Sequence, residues 1–148
     1  MTTRIDELRE ISRCCAVGEP LPGHLAAGLR SALQDFLHRR ASTLDEAFEI
    51  IRAPGGIPWW REEAIRSRDA TLRDLARRYS PSLSVTSRAR NISTLCRRYA
   101  ATAWRHDIER GQMPASYSGT PKELIWTAFK SGARMPIGER QLRNILGR

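Results

Sequence analysis

Between residues 75 and 106 the chain carries seven arginines (Arg77, Arg78, Arg88, Arg90, Arg97, Arg98 and Arg105) and no aspartate or glutamate. A guanidinium is always charged and presents a planar fork of donors that matches phosphate oxygens and guanine edges. An ordinary helix surface mixes signs, because a carboxylate four residues from a cation stabilises the helix while like charges there repel. On a helical wheel starting at Val85, Ala89, Ile92, Cys96, Tyr99 and Ala103 fall within about 40° of one line. Arg90, Arg97, Arg98 and Arg105 gather opposite, in a sector about 100° wide, with Arg88 on the flank beside Leu95. Two things could relieve such a face: the phosphates of a nucleic acid, or acidic side chains from elsewhere in the fold.

The surrounding residues resemble a helix-turn-helix. Leu72 to Tyr79, the turn Ser80-Pro81-Ser82-Leu83, and Ser84 to Arg88 carry the likeness, with Ala76 where that motif wants a small residue. The resemblance implies that Ser84, Thr86, Ser87 and Arg88 open a recognition helix against bases and phosphates, with Arg77 and Arg78 nearby. The turn lacks the motif's glycine and holds Pro81, and the second helix is longer than the motif needs. A second such pair is Pro121 to Leu146, with Arg134, Arg140 and Arg143 in its later part.

The other reactive side chains do not converge in sequence. His24, His38 and His106 share no metal spacing, and the Asp35/His38 and His106/Glu109 pairs read as surface contacts. No serine or cysteine has a nucleophile's context. Cys15 and Cys96 read as small core residues and Cys14 as the exposed neighbour, three cysteines being no disulfide framework. The expectation is a protein with no catalytic residues, no metal and no cofactor. Because adjacent helical positions diverge by about 100°, Trp59 and Trp60 either straddle two layers of the core, the favoured reading, or leave one ring exposed as a protein-interface or base-stacking surface.

Seven helices position these residues. The first runs from Thr3 to Val17, with Ile5, Leu8, Ile11 and Cys15 on one side and Gly18 as its stop. The second spans Pro22 to Arg40 with the stripe Leu25, Leu29, Leu33, Phe36 and Leu37. The third opens at Thr43, which has capping-box spacing with Glu46, and ends at APGGIP (53–58), the expected hinge. The fourth covers Pro58 to Tyr79 and carries the pairs Glu62–Arg66, Asp69–Arg73 and Asp74–Arg78. The fifth runs from Ser84 to Arg110. The sixth starts at Thr120-Pro121-Lys122-Glu123 and stops at Gly132, and the seventh starts near Gly138 with Leu142, Ile145 and Leu146 inward.

At 148 residues, 41% hydrophobic, with two valines and 23 arginines, the chain is expected to be all-α, a compact bundle of six to seven helices containing a helix-turn-helix-like pair. No apolar run reaches the roughly 18 residues that span a bilayer, and the first residues carry acids, so cytoplasm and no membrane are expected. Residues 1–74 hold 11 basic and 12 acidic side chains, whereas residues 75–148 hold 14 and 4. The division expected is a near-neutral helical part, 1–56, and a basic part, 57–148. The leading reading is a nucleic-acid-binding protein, DNA ahead of RNA. The alternative is a helical adaptor that binds an acidic protein or associates with itself.

Overall fold

The computed structural model describes residues 3–51, 55–136 and 138–148. Among these residues all regular structure is helical: α1 (Arg4–Val17), α2 (Gly23–Leu37), α3 (Leu44–Ala47), α4 (Trp59–Tyr79), α5 (Val85–Ala101), α6 (Trp104–Asp107), a 3₁₀ turn (Ala115–Tyr117), α7 (Pro121–Lys130) and α8 (Glu139–Leu146). The chain divides into two compact units, Met1–Trp59 and Trp60–Arg148. No helix of the described residues is long and apolar enough to cross a membrane.

In the N-terminal unit α1 starts with a reciprocal cap. The Thr3 hydroxyl accepts from the Asp6 N–H, and the Asp6 carboxylate accepts from the Thr3 N–H at 2.9 Å. Gly18 closes the helix at φ 71°, a left-handed position that glycine takes without steric cost. The buried side of the last turn is Cys14, not Cys15 as expected, because the inward line steps by three residues from Leu8 to Ile11 to Cys14. On α2 Leu25 and Ala32 are buried, but Leu33, Phe36 and Leu37 are exposed, so only the first part of the expected stripe faces inward.

The expected third helix is a single turn. Thr43 caps it by accepting from the Glu46 N–H at 3.1 Å, while the Glu46 carboxylate reaches back to the Ser42 N–H at 2.7 Å. Glu49 then takes φ 56°, and the Ile50 N–H bonds back to the Asp45 carbonyl at 2.9 Å, which closes the helix. The expected hinge at 53–58 lies partly outside the described residues.

In the C-terminal unit four helices share one core. Leu72, Leu75 and Ala76 of α4 meet Ala89, Ile92, Cys96 and Tyr99 of α5, Ile125 and Ala128 of α7, and Leu142 and Ile145 of α8. Among the described residues the packing of α5 on α8 is the most extensive between two helices. The inward line of α5 is the expected one from Ala89 to Tyr99, whereas Val85 at its first turn is exposed. Trp60 is also exposed, at 59%, contrary to the favoured core role of both tryptophans, and Trp59 is half-buried.

The expected fifth helix breaks at Thr102, eight residues before its expected end at Arg110. The cause is buried and polar. The Asp107 carboxylate accepts from the Tyr99 hydroxyl at 2.7 Å and from the Tyr117 hydroxyl at 2.8 Å. On an unbroken helix residues 99 and 107 stand about 12 Å apart along the axis, so the chain must turn for the two to bond. The turn also lays Trp104 against Phe129, with ring centroids 5.0 Å apart. At α7 Pro121 occupies the first turn as expected, and the Glu123 carboxylate accepts from the Gly119 N–H at 2.6 Å.

Candidate nucleic-acid interface

The outer face of α5 carries Arg90, Arg97 and Arg98, all exposed. It is held by the opposite face, where Ala89, Ile92, Cys96 and Tyr99 are buried, so the arginines' direction follows from the core. Arg90 stands 3.9 Å from Glu139 at the start of α8, a long and exposed pair of small energetic weight. Within this unit no acidic side chain pairs with Arg97 or Arg98 among the described residues.

The remaining sequence candidates fall into different places. Arg105 leaves the α5 face because the helix breaks before it, and it sits exposed on α6. Arg77 and Arg78 both reach Asp74 at 2.8 Å, and their two hydrogen bonds hold its carboxyl below the usual carboxylate range against the opposing push of desolvation. Arg73 does not pair with Asp69, whose partner is the adjacent Arg68 at 2.6 Å.

The start of α5 is committed to its own architecture. Ser84 caps the helix by accepting from the Ser87 N–H at 3.2 Å and donates to the Ser87 hydroxyl at 3.1 Å. The Arg88 guanidinium donates to the carbonyls of Ser80 and Pro81, at 2.8 and 2.5 Å, and so fastens the turn between α4 and α5. Thr86 is exposed at the first turn. Of the residues expected to read bases, three are therefore occupied within the fold.

The packing of α8 on α5 adds basic residues beside this face. Glu139, the neighbour of Arg90, lies one turn before Arg143, and Arg140 is exposed beside it. The signal for these was present in the sequence as a short helix with a single acid at its start. Their adjacency to α5 was not, because it depends on which helices pack. Residues 60–148 hold 18 basic and 8 acidic side chains, against 7 and 8 in residues 1–59.

No three His, Cys, Asp or Glu side chains among the described residues converge as metal ligands. The Cys96 thiol is pushed up to about 12 by burial, which removes its nucleophilic character at neutral pH. Compared with known proteins, the chain matches no family model, no curated protein and no solved structure.

Proposed function

We propose that the C-terminal unit binds nucleic acid, with duplex DNA as the first candidate, through the outer face of α5 and the neighbouring arginines of α8. The observation that carries this reading is the contrast between two helices of one unit. On α4, four of the six arginines (Arg66, Arg68, Arg77 and Arg78) have acidic partners within 4.0 Å, and Arg61 and Arg73 have none among the described residues. On α5, Arg97 and Arg98 have none, and the nearest acid to Arg90 stands at 3.9 Å. A one-signed arginine face is suited to phosphates, which carry no sequence information of their own.

The engagement of Ser84, Ser87 and Arg88 in the cap and the turn favours backbone contact over base reading. Binding should therefore depend steeply on salt and weakly on sequence. In fluorescence anisotropy with labelled duplexes, log K should fall linearly with log salt, by about 0.9 per phosphate contact. Affinities for unrelated duplexes of equal length should agree. An affinity that ignores salt removes the reading and favours the adaptor alternative, for which the exposed Leu33, Phe36 and Leu37 of α2 offer an apolar row.

A further inference from the structure

A hollow of about 300 Å³ opens between Arg68 of α4, residues 134–136, Gln141 and Asn144 of α8, and Arg148 just past the end of that helix. Every polar side chain that lines it can donate: three guanidiniums and two amides, with no acidic side chain among them. Arg68 is already spoken for. Its guanidinium holds Asp69 at 2.6 Å and donates to the backbone carbonyl of Arg134, so it fixes the segment that forms one wall. The side chains of Arg134, Gln141, Asn144 and Arg148 have no partner among the described residues. Gln141 and Asn144 stand three residues apart on one side of α8, and Arg148 follows the helix's C-cap, Gly147. Met135, Pro136 and Ile145 complete the lining as an apolar patch.

Four exposed donor side chains with no protein partner among the described residues, two of them cationic, match a group with several acceptor oxygens and about two negative charges. A phosphate monoester has these properties, and the bidentate fork of arginine fits its oxygens. A backbone diester offers one charge and must continue past the site at both ends, which suits the open α5 face better than a hollow. We propose that this hollow binds a phosphate monoester, with Arg134 and Arg148 pairing its oxygens, Gln141 and Asn144 donating beside them, and Arg68 acting as the positioning residue. Its place in the basic C-terminal unit makes the end of a phosphorylated nucleic-acid strand the first source, and that part rests on the function proposed above. A free nucleotide or inorganic phosphate is the second source.

The test uses the full chain and two sets of probes. The first set is one oligonucleotide with a 5′-phosphate or a 5′-hydroxyl, followed by anisotropy. The second is adenosine monophosphate, adenosine and inorganic phosphate, followed by calorimetry. The phosphorylated oligonucleotide should bind about tenfold more tightly, which is the scale of one good charged contact. Arg134→Gln with Arg148→Gln should abolish that ratio and leave the hydroxyl oligonucleotide unaffected, while Arg97→Gln with Arg98→Gln should weaken both and keep the ratio. If neither oligonucleotide binds but adenosine monophosphate does, adenosine does not, and the Arg134/Arg148 variant loses it, the site stands and the nucleic-acid reading falls. Absence of any phosphate-dependent binding, or a phosphate preference untouched in the Arg134/Arg148 variant, overturns the proposal. Circular dichroism of each variant keeps loss of binding apart from loss of fold.

Discussion

Asp107 is 2% exposed and accepts from two tyrosine hydroxyls, with Arg110 at 3.3 Å from its other oxygen. Desolvation pushes its carboxyl up, but the hydrogen bonds from Tyr99 and Tyr117 and the nearby positive charges outweigh it, and the group ends below its ordinary value. A carboxyl lower in the folded state than in the unfolded one contributes stability that is fully present above the unfolded pKa of about 3.9. That contribution is lost as pH falls through the lower folded value. Asp107→Asn should therefore cost about 1.5–3 kcal/mol at neutral pH and flatten the fall in Tm between pH 5 and pH 3. A variant with the wild-type acid limb would show that Asp107 does not titrate with folding. Nothing local in the sequence marked this residue, because an acid eight positions after a tyrosine meets it only if the helix between them breaks. Cys96 was legible from its place on the apolar line of α5, whereas the choice between Cys14 and Cys15 turned on the final turn of α1.

At the scale of elements, the α5 face was legible because its apolar line and its arginines are both long and both periodic. Length was the misleading part. Residues 102–110 continue the helical pattern, and the packing of Trp104 on Phe129 and the bonds from Tyr99 and Tyr117 to Asp107 end it. The third helix was overdrawn for a related reason: apolar spacing at Phe48 and Ile51 suggested continuation, but Glu49 turns into the left-handed region. The α2 stripe shows the converse, since periodicity identifies an apolar face without naming what covers it. Gly28 offers a test within that helix. It lies inside α2, and a Cβ there would meet no atom within 4 Å. Gly28→Ala should therefore stabilise the protein by about 0.5–1 kcal/mol through helix propensity alone. Thermal melts check this, and a lowered Tm would mean that the position is closed to a methyl group.

Over the whole molecule, charge is divided unevenly between the two compact units. The excess of basic residues lies in residues 60–148, and within that unit six of the eight acids lie on α4, beside Arg110 or at the start of α8, while Glu123 accepts from the Gly119 N–H. What sequence could not supply was the pairing: Arg77, Arg78 and Arg88 belong to the same acid-free run as Arg97 and Arg98, yet the fold uses the first three itself. The central claim is that arginines left without partners, rather than arginines in general, face phosphate. The direct measurement compares the salt dependence of duplex binding for two double variants, Arg97→Gln with Arg98→Gln and Arg77→Gln with Arg78→Gln, which remove equal charge. The first should flatten the slope of log K against log salt by about 1.8, the contribution of two phosphate contacts, with its Tm unchanged. The second should keep a slope near that of the native protein. Equal slopes for the two variants, or a larger change in the second, would contradict the account.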